Sequence, residues 1–320
     1  YPPLTYFFFG TAFPLVSLLA GPGFTSWLGT GNILVATPHL FRYLFAMKLP
    51  LVMALLFAGW LLARLLKDPP SQKLGLMLWF FNPVSIYAVA FMGQFDILPV
   101  TTTLLALYYF PASPILSALA LSLGAGFKAY PLLLVPFIAV HARRLKSKAV
   151  ALLVGVIPYL LISLPAHTFS SGLTQRLFSL NLALGYDKVI YLVPMALLLS
   201  FLSSPGLLAG FTAATLLITS GIHSHPQWLL WPLPFVIIYL VRSRDWLAGL
   251  LFFTGWLGIT LTFNDVFLTW GLISPLETQS VFLPSPISML PPLFSWPSLA
   301  QTLLFATSVW IIYRVFHVRK

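Results

Sequence analysis

Asp and Glu number only 6 in this 320-residue chain, against 17 Lys and Arg, so any polar group among its apolar runs stands out. Charged groups beside hydrocarbon are costly and tend to be kept for function. Four places hold candidates. The first is the turn Gly93-Gln94-Phe95-Asp96, where Gly93 permits a sharp bend and Gln94 and Asp96 are expected on its outer surface. Asp96 can bind a sugar hydroxyl or accept a proton. Equally, an Asp just before a helix can cap the first free N–H groups. The second is Lys128 in LGAGFKAYP, flanked by Gly124 and Gly126. It suits a buried anion such as a lipid phosphate, or it snorkels to the interface.

The third place is Arg176 with Asn181, Asp187 and Lys188 in the loop TQRLFSLNLALGYDK. A guanidinium can clamp a phosphate through two hydrogen bonds, although a solvated loop has the same composition. The fourth is His223-Ser224-His225-Pro226-Gln227-Trp228 followed by LLWPLP. Its His residues can donate to an oxyanion or shuttle a proton. Trp228 and Trp231 can stack on a sugar face or form an interface belt. As a metal site the His pair is weak, because residues i and i+2 do not share a helix face, and a metal is not expected. Gathered on one face, Lys128, Arg176, His223 and His225 form an anion cradle near the carboxylate of Asp96. Gln94, Gln227 and Trp228 are placed to hold a sugar or an acceptor. Transfer from a lipid-phosphate donor needs such a set: donors stabilise the leaving phosphate and a carboxylate takes the acceptor's proton.

The elements that must position these residues are helices in a membrane. Hydrophobic residues make up 59% of the chain and charged ones 7%, far from a soluble domain. Apolar runs predict eleven spans, give or take one or two, near 41–63, 74–93, 97–110, 114–127, 130–141, 149–165, 189–203, 206–220, 228–241, 246–263 and 298–315. The three between 97 and 141 are short for a full bilayer, and local thinning or a water-filled cavity would accommodate them. Lys and Arg crowd at Arg64/Lys67/Lys73, Arg143/Arg144/Lys146/Lys148, Arg242/Arg244 and Arg314/Arg319/Lys320. Counting crossings places all four clusters on one side, the cytoplasm by the positive-inside rule. Asp96, Asp187, Asp265 and Glu277 then fall on the opposite side. Residues 4–20 break the alternation and are expected to form an interfacial or re-entrant helix. The Pro-rich stretch 264–297 has the composition of a lid on the membrane surface.

The net charge of +11 sits at helix ends, where anionic lipid and topology account for it, so nucleic acid is excluded as a partner. Zero cysteines remove disulfides and thiolate metal sites. Without an internal repeat or a soluble module, the chain reads as one all-α polytopic transmembrane helical bundle, residues 1–320.

The order of YPPL before an interfacial helix, FNPVSIYAVAFMGQFDILP, LGAGFKAYPLLLVP and HPQWLLWPLP resembles membrane glycosyltransferases of the GT-C superfamily. It is most similar to the polyprenyl-phosphate-mannose-dependent type, including the GT87-like bacterial mannosyltransferases. The resemblance covers nearly the whole chain. It implies an inverting transferase, without cofactor or metal. That enzyme takes a sugar, mannose first, from a polyprenyl-phosphate donor to a glycolipid or glycan acceptor. It acts on the extracytoplasmic or lumenal side of a prokaryotic plasma membrane or the ER membrane. In that superfamily the usual catalytic Asp lies in an outer loop before the PPL segment. The resemblance therefore expects a first span and that Asp upstream of Tyr1, with Asp96 supporting the site. Two other classes fit the composition: a flippase or transporter for lipid-linked sugar, and a non-catalytic membrane subunit.

Overall fold

The computed structural model describes residues 2–31, 37–163, 178–179, 181–185, 188–222, 225–264, 268–292 and 295–317, with backbone only for 181–185 and 188–190. These residues are almost entirely helical, as the apolar runs require. In hydrocarbon each backbone N–H and C=O must be satisfied within its own segment. Among the described residues four helices are long and apolar enough to cross a membrane: α1 (Pro3–Ala20), α3 (Leu40–Leu65), α9 (Leu145–Ser163) and α14 (Trp296–His317). A short α2 (Phe24–Gly29) follows α1.

The predicted span at 74–93 is bent: two helices that are together long and apolar enough for one span meet at a break. Helix α4 (Pro69–Phe80) and a segment over Pro83–Phe91 meet at 43°. That segment is α5 (Pro83–Ser85) running into a π-helix, Ile86–Phe91. Pro83 cannot continue the helix, and Asn82 makes the break tolerable. Its amide nitrogen donates to the Leu78 and Trp79 carbonyls and its oxygen accepts from Ser85 N–H. Both orphaned helix ends are thereby satisfied.

The remaining apolar helices are shorter than a span: α6 (Ile97–Tyr109), α7 (Pro114–Ala125), a 3-10 turn Tyr130–Leu134 leading into α8 (Val135–His141), α10 (Leu192–Ser203), α11 (Leu207–Ser220), α12 (Leu233–Ser243) and α13 (Trp246–Thr260). The span predicted at 228–241 thus loses its first turn, because Pro226–Leu230 is a 3-10 helix. The departure from a purely helical chain is a hairpin of β1 (Asn181–Gly185) and β2 (Lys188–Tyr191), antiparallel with Asn181 opposite Tyr191. Its run Val189-Ile190-Tyr191 favours extended backbone.

The basic clusters gather at one end of the bundle. A Cβ on Gly75 would touch both Leu66 and Val241, and one on Gly210, near the start of α11, would press on Phe137 of α8. Leu208, Arg242 and Arg314 line one cavity. The other end carries the turns before α6, after α7 and before α12. Helix α1 touches that other end twice. Phe8 and Phe9 meet Phe127 and Phe95 edge-on at 6.1 and 6.5 Å, and Arg42 Nε at the start of α3 donates to Leu19 O at 2.9 Å. The stretch 268–292 holds only short 3-10 turns, with Thr269 N–H donating to the Tyr87 hydroxyl oxygen. Asn264 Nδ2 ties it down by donating to the carbonyls of Ser280 and Leu283.

Candidate functional site

Asp96 and Lys128, 32 residues apart, form the one ion pair among the described residues. Lys128 Nζ lies 2.9 Å from both carboxylate oxygens of Asp96. Trp231 Nε1 donates to Oδ1 of the same carboxylate at 2.6 Å. Asp96 is fully buried and the Lys128 side chain is 17% exposed. Asp96 occupies the N-cap position of α6 but caps nothing: its backbone is helical and its side chain accepts from no helix N–H. Capping was one of the two sequence readings, and the side chain instead spans three elements. The expectation that Asp96 lies on the outer surface of its turn is corrected. The turn folds inward because an unpaired carboxylate would be costly to bury, whereas here an ammonium and an indole satisfy it.

Local sequence explains the placement. The π-helix over Ile86–Phe91 is followed by Met92 N–H donating to Tyr87 O and by Gly93 at φ +68°. This left-handed glycine reverses the chain and aims Phe95 and Asp96 back into the bundle. Tight packing brings Lys128 in: a Cβ on Gly124 would strike Thr102 and one on Gly126 would strike Leu4. The cluster Pro226–Leu230 turns as a 3-10 helix, whose i, i+3 spacing stacks Trp228 over Trp231.

An aromatic ladder runs outward from the ion pair. Tyr130 stacks on Trp231 (4.2 Å, 13°) and Trp231 on Trp228 (5.0 Å, 17°). Trp228 meets His225 at 6.0 Å, and His225 stacks on Phe263 at 5.2 Å. Lys128 Nζ sits 5.2, 5.9 and 5.7 Å from the ring centres of Phe95, Trp228 and Trp231, within cation–π range. Trp231 is therefore committed to two ring neighbours and a carboxylate, not to a sugar face as the sequence suggested. Trp228 is the more exposed of the two indoles. Gln227 Oε1 is shielded from solvent and has no hydrogen-bond partner among the described residues, which suits a donor from outside the chain.

The helices carrying this cluster set its depth. Counting 13 residues in α6, 12 in α7 and 11 in α12, the ion pair stands about 16–20 Å above the basic end at 1.5 Å per residue. A hydrocarbon core is about 30 Å thick. The site thus stands at the end of three helices each shorter than such a core.

Of the residues singled out in the sequence, Asp96, Lys128, Trp228 and His225 converge. Gln94 and Gln227 lie in the same two turns, both partly buried. Arg176, His223, Asp187 and Asp265 lie outside the described residues, and Asn181 and Lys188 are described by backbone alone. Glu277 stands apart in the 268–292 stretch and accepts from Gln279 N–H. Two participants were missed. One is Tyr130, passed over although it lies two residues from Lys128. The other is Lys48, part-way along α3, whose Nζ donates to Phe91 O at 2.6 Å and whose stem packs against Gly93. A lone Lys in an apolar helix was the signal used for Lys128, and it applied equally here. Among the described residues no group of three His, Cys, Asp or Glu could hold a metal ion.

A scan against protein-family models, a search of curated proteins and a search of solved structures return no match to this chain.

Proposed function

We propose that this chain is the transmembrane body of a glycosyltransferase. It would move a sugar, mannose first, from a polyprenyl-phosphate donor to an acceptor hydroxyl at the non-basic, extracytoplasmic end of the bundle. The supporting observation is the sunken Asp96–Lys128–Trp231 cluster with an aromatic wall leading to it. A lipid-linked donor would bring its phosphate in from the membrane side, along that aromatic wall to the Lys128 ammonium. Helix α1 is read as lying along the outer interface, since both its ends touch the Asp96 end of the bundle.

In the proposed reaction the bond between the sugar's C1 and the phosphate oxygen breaks, its electron pair leaving with the phosphate. The acceptor oxygen attacks C1 from the opposite face, which inverts the centre, and its proton passes to a carboxylate. An ammonium has three donors, and Asp96 engages no more than two from Lys128. The third is assigned to the leaving phosphate, where charge develops. The Asp96–Lys128 pair is neutral, so a second cation is needed, and Lys48 is the described candidate. Asp96, already accepting from two donors, is assigned to positioning Lys128 and not to proton abstraction. In the family this chain resembles, the base is an Asp preceding the PPL segment. Gln227 and Trp228 are assigned to the sugar or acceptor.

The depth of the cluster also favours a second reading, a translocation path for a lipid-linked sugar, because transporter sites lie near the bilayer midplane. Incubating membranes containing the full-length protein with polyprenyl-phosphate [14C]mannose and a membrane-extract acceptor separates the two. New glycosidic label supports transfer, and label that changes leaflet without a new bond supports translocation.

A further inference from the structure

The basic end contains a cavity that the proposed chemistry does not use. About 170 Å³ in volume, it lies between α11, α12 and α14. Its lining is graded along α12. Phe235, Ile238, Arg242 and Ser243 recur at helical spacing on one face, so the wall passes from apolar to cationic over about 10 Å. Leu208 and Thr212 of α11 close one side and Arg314 of α14 the other.

The two guanidiniums facing this space lack carboxylate partners. Among the described residues neither Arg242 nor Arg314 has a carboxylate within ion-pair distance. The nearest acid, Asp245, is engaged elsewhere: Oδ2 accepts from Tyr239 Oη at 2.6 Å and Trp310 Nε1 at 2.9 Å, and Oδ1 accepts from Ala248 N–H. It attracts Arg314 only at longer range. Arg314 lies 5.4 Å from the Trp310 ring, and its Nε is shielded from solvent with no acceptor among the described residues. Two cations and one committed carboxylate leave the rim with a net positive charge.

We propose that this cavity binds the phosphate headgroup of an anionic lipid from the basic-side leaflet, with the lipid's chain lying toward Phe235. A guanidinium presents a planar fork that fits phosphate oxygens, and basic pockets between transmembrane helices are where such headgroups dock. The apolar inner half distinguishes a lipid from free phosphate, because Phe235, Ile238 and Leu208 offer an inorganic ion nothing. The site lies at the opposite end of the bundle from Asp96 and does not depend on the transfer reading.

The test is thermal unfolding of the purified full-length protein in a zwitterionic detergent, with phosphatidylglycerol, phosphatidylcholine or inorganic phosphate added. Phosphatidylglycerol should raise the Tm by a few degrees through preferential binding to the native state, and the other two should not. The increment should vanish in Arg242→Gln/Arg314→Gln and persist in part in Arg242→Lys/Arg314→Lys. If the Gln variant does not fold, Leu208→Trp carries the test, since it fills the cavity, leaves both guanidiniums in place and should abolish the increment. An equal rise with inorganic phosphate, or a lipid increment that survives both variants, overturns the proposal.

Discussion

Asp96, Asp245 and Asp68 stand at the same local position, the residue before a helix, yet the two ends of the bundle use it differently. At the basic end Asp68 accepts from Ser71 N–H and Asp245 from Ala248 N–H. Each does what an N-cap Asp ordinarily does. At the other end Asp96 leaves the first turn of α6 uncapped and spends both oxygens on a lysine and an indole from distant segments. A residue that declines its easy local partner in favour of long-range ones has been placed by tertiary constraint. This is the strongest physical reason to look for function at Asp96 and not at its two counterparts.

Removing each carboxylate should expose the difference. Asp96→Ala strands Lys128 beside hydrocarbon and should cost about 3–5 kcal/mol, the range for breaking a buried pair. Denaturant unfolding in one detergent measures it. Asp245→Ala removes a cap worth about 1 kcal/mol and the acceptor of Tyr239 and Trp310 on a partly buried carboxylate that has no ion-pair partner among the described residues, and should cost less than Asp96→Ala. Equal losses would erase the distinction between the two ends. Between these lies Trp231→Phe, which keeps a ring against Tyr130 and Trp228 but deletes the donor to Asp96. A hydrogen bond to a charged group contributes about 1.5–3 kcal/mol, so this variant should fall between the other two in the same assay.

The smallest effect is one of pH. Burial pushes the Asp245 carboxyl up, but the hydrogen bonds from Tyr239 and Trp310 outweigh it and hold the group below its ordinary value of 3.8. A depressed carboxyl stabilises the fold above its unfolded value and loses that contribution as pH falls through the folded one. The stability gap between the native protein and Asp245→Asn should therefore be constant near neutrality and close below about pH 4. A gap that persists at the lowest pH at which the fold survives would show that Asp245 acts through shape and not charge.

Much of this was legible in the sequence because hydrocarbon makes polar residues conspicuous. Asp96, Lys128, His225 and Trp228 were found by that contrast, and the shortness of the helices near 97–110, 114–127 and 130–141 was legible in their apolar runs. The break at Asn82 was not foreseen. The run from 74 to 93 is apolar but for Ser85 and Asn82-Pro83, a pair that signals a break, and the side-chain bonds of Asn82 show how two helix ends are satisfied there. Tyr130 and the bond from the Trp231 indole to Asp96 were hidden for the opposite reason. An aromatic ring in an apolar helix is ordinary, and its polar atom matters only once a partner from far along the chain arrives. Depth was also hidden, since it follows from where helices stop and Pro226–Leu230 winds as a tighter 3-10 turn.

The proposed role of the Asp96–Lys128–Trp231 cluster is to serve a phosphate-linked sugar. Its most direct test is transfer of [14C]mannose from polyprenyl-phosphate mannose by membranes containing the full-length protein, native or carrying Lys128→Met, with Asp245→Ala as the control for stability. The account predicts transfer by the native protein and by Asp245→Ala, and a loss of at least about 100-fold in Lys128→Met, the scale of removing one transition-state donor. Native-level transfer by a folded Lys128→Met protein would contradict it.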